Sequence, residues 1–255
     1  MNRLIIITLS ALTPIVAIPQ SGQEHVIEYS LTEGEMWLDS AYFANWHGLP
    51  DKDDPVRYDI LTEDDYREVA ESMNVEVAAI KAVVDIETGQ KNCGFWQPGK
   101  AIINFDLSIY RSRAPRHGVN LNRAKKKHPV IFRSPDTKKY GSLQAAQYAR
   151  LEAAMEIHRE LALESCFWGM FQIGGFNWGR CGCCSVDEFC SLMNKSERAQ
   201  LDLFASYCDN NDLTKYIRKK DWSSFSLRYN GPGYKRHHYH TKMAAAYKKY
   251  KKAEK

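Results

Sequence analysis

Glu87 and Asp106 are the two carboxylates whose settings could do acid–base chemistry. Ile80, Val83, Val84 and Glu87 fall at i, i+3, i+4 and i+7, so a helix over residues 75–89 carries Glu87 on its apolar stripe. Gly89 supplies the residue tolerant of positive φ that ends such a helix. A glutamate leaving a buried stripe is partly desolvated, so its pKa rises and it can stay protonated near neutral pH as a general acid. The bland alternative is a surface glutamate on an ordinary amphipathic helix, and this segment taken alone favours it. Asp106 follows nineteen positions later, at the end of a short β-like run over residues 101–106. If that hairpin folds back over the helix end, two carboxylates face one groove. Cleavage of a glycosidic bond uses such a pair. One carboxyl protonates the leaving oxygen, while the other is nucleophile, base for water or stabiliser of the oxocarbenium ion. An ordinary turn residue at a strand end is the equal alternative for Asp106.

Two further stretches hold polar groups in unusual company. In residues 165–177, Gly169 permits close approach of another backbone, and Gln172 is polar inside an apolar run, so it needs partners if buried. A well-packed helix with a satisfied amide is the simpler reading. In residues 228–234, Asn230-Gly231-Pro232-Gly233 is a strong turn signal flanked by Tyr229 and Tyr234. Aromatic and amide groups beside such a turn suit sugar stacking and hydroxyl hydrogen bonding, although a plain structural turn is the simpler reading here too. Seven cysteines invite disulfides or a metal, with Cys181, Cys183, Cys184 and Cys190 clustered. A structural zinc site pairs two spaced ligand couples, and no second couple is present, so local bridging or small buried thiols is the better reading. The spacing assigns no pairing.

The elements that must position these groups are mostly helical. Thr62 with Asp65 forms a capping box that opens a helix through about Met73, and Asn74 caps the Glu87 helix. Residues 94–100 form a Gly/Pro loop before the β-like run, which gives a small sheet after the Glu-bearing helix. Residues 111–139 hold ten Lys/Arg against one Asp with three prolines, which predicts short helices and loops under a basic surface. Residues 142–163 read as one long helix. Further helices are expected near 164–173, 186–193, 196–210, 221–229 and 241–250. No internal repeat is visible.

Ahead of this domain the chain differs. Residues 1–22 read as a secretory signal: Arg3 supplies a positive charge, and residues 4–17 form an uncharged apolar run too short for a comfortable membrane span. Residues 23–60 form an acidic extension, and residues 61–255 the main domain. Between Gln23 and Glu76 there are fifteen acidic and three basic residues. Because the whole chain is only +4, the stretch from Val77 to Lys255 carries about +15. So basic a domain suits a polyanionic partner, whether nucleic acid, membrane surface or anionic wall polymer.

The ordered combination Asp85-Ile86-Glu87-Thr88-Gly89, Trp168-Gly169-Met170-Phe171-Gln172-Ile173 and Tyr229-Asn230-Gly231-Pro232 resembles the N-acetylmuramidase family of phage endolysins and bacterial cell-wall hydrolases. The residues at 61–66 and 242–247 also match its pattern, so the likeness covers roughly 61–251. It implies an α+β, mostly α, lysozyme-like fold. It also implies cleavage of the β-1,4 bond between N-acetylmuramic acid and N-acetylglucosamine, with Glu87 as general acid. Asp106 stands where the family usually has glutamate and is carried over as the second carboxylate. Gln172, Tyr229, Asn230, Trp168, Phe171 and Asn177 are carried over as substrate-binding residues. Phe167 stands where serine is common, and Thr88-Gly89-Gln90 replaces a more Ser/Gly-rich turn.

On this reading the partners are peptidoglycan glycan strands, whose stem-peptide carboxylates a basic domain attracts. The protein is expected to be exported, periplasmic or secreted, and monomeric, with no membrane span once the signal is removed. The chemistry needs no metal or cofactor. The sequence identifies no immunity or inhibitor protein. Two variants stay open: a lytic transglycosylase that leaves 1,6-anhydro ends, and a non-catalytic glycan-binding module. Nucleic acid is set aside because a secretory signal argues against it.

Overall fold

The computed structural model describes residues 60–88 and 93–254. The expected signal, nearly all of the acidic extension and Gly89 lie outside the described residues. The described residues begin with two helices, α1 (Glu63–Ser72) and α2 (Val77–Glu87), followed by strands β1 (Phe95–Gln97), β2 (Lys100–Ala101) and β3 (Ile103–Phe105). The basic segment holds α3 (Leu107–Arg113), α4 (Leu121–Lys127) and α5 (Thr137–Tyr140), separated by 3-10 turns. Next come α6 (Leu143–Met155), α7 (Arg159–Glu164), β4 (Cys166–Trp168) and β5 (Ile173–Gly174). A 3-10 segment (Gly175–Cys181) leads into α8 (Val186–Met193), α9 (Glu197–Asn210), α10 (Thr214–Lys219), α11 (Trp222–Asn230) and α12 (Tyr239–Ala253). The architecture is α+β and mostly helical, with two small antiparallel sheets among the described residues, β1–β2 and β3–β4–β5.

The Glu87 helix lies at the centre. Ala78, Ala79, Ile80, Ala82, Val83 and Val84 are all buried, so α2 is apolar nearly all round, as a helix enclosed by others must be. Helix α1 packs against it on one side, and α12 lies along its length. The capping box that starts α1 is present: Thr62 Oγ1 accepts the Asp65 N–H at 3.2 Å, and Asp65 accepts the Thr62 N–H at 2.7 Å. Asn74 does not cap α2. It turns the chain with φ +50°, and Glu76 takes the N-cap position without a side-chain cap bond.

Two expected helices give way to tertiary structure. The stretch expected as one helix over 142–163 is two, α6 and α7, because His158 leaves helical geometry and its Nδ1 accepts the Leu161 N–H to start α7. Of the helix expected over 164–173 only Glu164 is helical, as the end of α7, and residues 166–174 are a hairpin. Cys166–Trp168 pairs with β3 in the register Ile103↔Trp168, Asn104↔Phe167 and Phe105↔Cys166, and Ile173–Gly174 returns against it. The turn between them places Gly169 at φ +69° and Gln172 at φ +48°, which no right-handed helix allows. A short apolar run suits either element, and the partner strand decides.

The other edge of β3 is closed by side chains of α6. Gln144 accepts the Ile103 N–H at 2.9 Å and donates to the Ile103 carbonyl at 3.1 Å, as a neighbouring strand would. Gln147 accepts the Phe105 N–H at 3.3 Å, and the Arg150 guanidinium donates to the Phe105 carbonyl at 3.0 Å. These polar residues sit three apart on one helix face, which is how a helix can present a ladder to a strand. Among the described residues no helix is long and apolar enough to cross a membrane.

Candidate active site

Glu87 is the last residue of α2, directly after the buried Val83 and Val84 on the same stripe. Thr88 closes the helix behind it, its hydroxyl donating to the Val84 carbonyl at 2.6 Å. Among the described residues the Glu87 carboxyl is met by one neutral donor, the Asn230 side-chain amide, at 2.8 Å to Oε1. Burial is the largest influence and disfavours the carboxylate, while the Asn230 bond favours it in part, and the balance pushes the pKa up to about 8. The group is therefore protonated at neutral pH while still partly open to the surface.

Asn230 ends α11, where Gly231 at φ +74° turns the chain. Tyr229, beside it, is wedged among Phe225, Phe204 and Tyr207, stacked on Phe225 with ring centroids 5.5 Å apart. Its hydroxyl donates to the Phe171 carbonyl at 2.9 Å. That bond ties α11 to the β4–β5 turn. In the same turn Gln172 is buried and its Nε2 donates to the Gly169 carbonyl at 2.9 Å. Glu87, Asn230 and Tyr229 thus come together, with the turn carrying Gln172 joined to them through Phe171.

The other residues chosen from sequence are placed differently. The Phe171 ring stacks on Phe204 at 4.3 Å inside the core, and Trp168 is buried with Nε1 donating to the Leu163 carbonyl at 3.1 Å. Both rings shape the turn from behind. Asn177 is buried in the 3-10 segment. Asp106 is the N-cap of α3, its Oδ1 accepting the Ser108 N–H at 2.7 Å and the Ile109 N–H at 3.0 Å.

The N-acetylmuramidase family model matches residues 76–251, which span α2 to most of α12. The chain belongs to the N-acetylmuramidase family. A solved structure, the crystal structure of the Burkholderia AP3 phage endolysin, is similar to it. The identity is 31% and the TM-score 0.65, over 79% of this chain and 74% of that one. No curated protein matches by sequence. As a member of that family with a lysozyme-like fold, the protein is a peptidoglycan hydrolase.

Tyr239 joins the candidate site from outside the sequence expectations. It opens α12, half-buried, and burial followed by the Glu87 charge holds its phenol well above the usual value. The His237 ring lies 5.9 Å from its ring. Tyr239 stands nine residues after Asn230, beyond the turn signal, and only the packing of α12 along α2 brings it back. Cys166, Cys181, Cys183, Cys184, Cys190 and Cys208 are free thiols. Among the described residues no group of three or more His, Cys, Asp or Glu side chains is arranged to hold a metal ion.

Proposed function

We propose that the protein cleaves the β-1,4 bond between N-acetylmuramic acid and N-acetylglucosamine, with Glu87 as general acid. One observation carries this reading: a single desolvated carboxyl, protonated at neutral pH, at the end of a buried helix and held by a neutral amide. Glu87 donates its proton to the glycosidic oxygen as the bond to the muramic acid anomeric carbon breaks. Its carboxylate then takes a proton from the incoming nucleophile. Asn230 orients the acid, and Gln172, on the turn tied to Tyr229, is the amide offered to a sugar hydroxyl or acetamido group. Asp106 is the candidate second carboxylate. Export to the periplasm or beyond, directed by residues 1–22, is part of the same proposal, with residues 61–255 as the catalytic domain.

The cap position of Asp106 favours one alternative. With Oδ1 held by two backbone N–H groups, Asp106 is a poor mobile base, and the muramic acid 6-hydroxyl can replace water as nucleophile. Glu87 then serves as acid and base in turn. Mass spectrometry of purified peptidoglycan digested by the protein tests both versions. Reducible muramic acid ends are expected for the hydrolase, and 1,6-anhydro ends would transfer the assignment to a transglycosylase. No released product at any pH would leave a glycan-binding module.

A further inference from the structure

We propose that Gln200, on α9, is a positioning residue that fixes the two segments bordering Glu87 against each other. Its side chain is fully buried. Oε1 accepts the Met170 N–H at 2.8 Å, and Nε2 donates to the Gly94 carbonyl at 3.2 Å and to the Met193 carbonyl at 2.7 Å. Met170 lies in the β4–β5 turn, and Gly94 lies in the segment that follows Glu87 toward β1. One amide therefore joins segments that are 76 residues apart in sequence.

The neighbours of Gln200 strengthen the joint. Glu197, one turn earlier, is also buried, and its Oε1 accepts the Gly94 N–H at 3.0 Å. Asn194 Oδ1 accepts the Ala101 N–H at 2.8 Å. The positions 194, 197 and 200 form a polar row that holds the β1–β2 hairpin and the turn together. Both glycines leave room for it. A Cβ on Gly169 would stand 2.6 Å from Gln200 Oε1, and a Cβ on Gly94 would collide with the same atom.

From Gln200 the path to the acid alternates hydrogen bonds with peptide-bonded neighbours. Met170 is followed by Phe171, whose carbonyl receives the Tyr229 hydroxyl, and Asn230, next to Tyr229, donates to Glu87. A shift of the turn by about 1 Å displaces Gln172 directly and Asn230 through Tyr229, and misplacement on that scale costs roughly a hundredfold in rate. Gln200 touches no reacting atom. Its effect falls on kcat through the geometry of others, and the inference rests on Glu87 being the acid.

The test compares Gln200→Met, of similar length but without hydrogen bonds, with Gln200→Glu, which retains an acceptor for the Met170 N–H. Measured on soluble muramic acid–glucosamine oligomers, Gln200→Met is expected to lower kcat about ten- to a hundredfold while KM changes less than about threefold. Gln200→Glu is expected to recover part of kcat although it melts no higher than Gln200→Met. Unchanged kcat in Gln200→Met, or activity that merely follows melting temperature across both variants, overturns the proposal. Should Gln200→Met fail to fold, Gly94→Ala pushes the same amide from the opposite side, and wild-type kcat there overturns it equally. Activity persisting in Glu87→Gln would instead remove the underlying reading, so the two failures stay distinct.

Discussion

Glu87 and Glu164 are both glutamates that end a helix, α2 and α7, where the helix dipole disfavours a negative charge. Both are held by the surrounding fold, yet they are opposite in chemistry. Burial alone would raise the Glu164 pKa, but Arg113 Nε at 2.8 Å and His117 Nε2 at 2.9 Å more than offset it and hold the carboxyl below the ordinary value. Glu87 has a neutral amide where Glu164 has a guanidinium and an imidazole, and its pKa is pushed up to about 8. Burial makes a carboxyl reactive only when its partners leave it uncompensated. Glu164 is a structural joint between α7 and the basic segment. Glu87 is a held proton.

Substitution should separate the two sharply. Glu87→Gln is expected to keep the fold and lower turnover on purified walls by at least about a thousandfold, since removing a central catalytic group has effects of that order. Circular dichroism together with glycan release checks this. The same variant should gain stability above pH 5. The raised folded-state pKa means that wild type holds a proton the unfolded chain has lost, so stability falls as pH rises from about 4.5 to about 8. Melting scans at pH 4 and pH 8 should show wild type and Glu87→Gln converging at the lower value.

Glu164→Ala should do the reverse. Leaving the half-buried Arg113 and His117 without their carboxylate costs about 2 kcal/mol, or roughly 4–8 °C in melting temperature, with the rate per folded molecule unchanged. The lowered pKa of Glu164 gives it the opposite pH sign. Its contribution is present above about pH 4.5 and is lost as pH falls below. Glu164→Ala should therefore match wild type most closely in acid.

Asn230→Ala probes the amide donor on Glu87. Losing a bond that favours the carboxylate moves the alkaline limb of the kcat–pH profile upward by up to about one unit, with a rate loss of about tenfold at pH 7. A limb that stays in place would detach Asn230 from the acid. Asp106→Asn carries the smallest expected effect. Asparagine caps a helix as well as aspartate, so stability should change by only a few tenths of a kcal/mol. The remaining change in rate isolates the charge, and an unchanged rate removes Asp106 from the mechanism.

The Glu87 side of this comparison was legible in the sequence because helix periodicity is local. Ile80, Val83, Val84 and Glu87 announce one face within two turns, and Thr62 with Asp65 announces the cap of the helix before it. The neutral partner was legible only as a turn signal and a resemblance, since Asn230 stands 143 residues away. Cys166–Trp168 read as helix because three apolar residues carry no period, and pairing with Ile103–Phe105 settled their state. Gln200 gave no signal. A polar residue on a helix reads as solvent-facing until the backbones it serves are known.

The ladder of Gln144, Gln147 and Arg150 along β3 has a consequence for self-association. A small sheet with an open edge is a template on which another chain can add a strand. Here the backbone groups of Ile103 and Phe105 that face away from β4 are already bonded to α6, so that edge offers no free row of donors and acceptors. Strand addition at β3 would first have to strip three buried polar side chains from their partners. The helix that orders the sheet also seals it against growth.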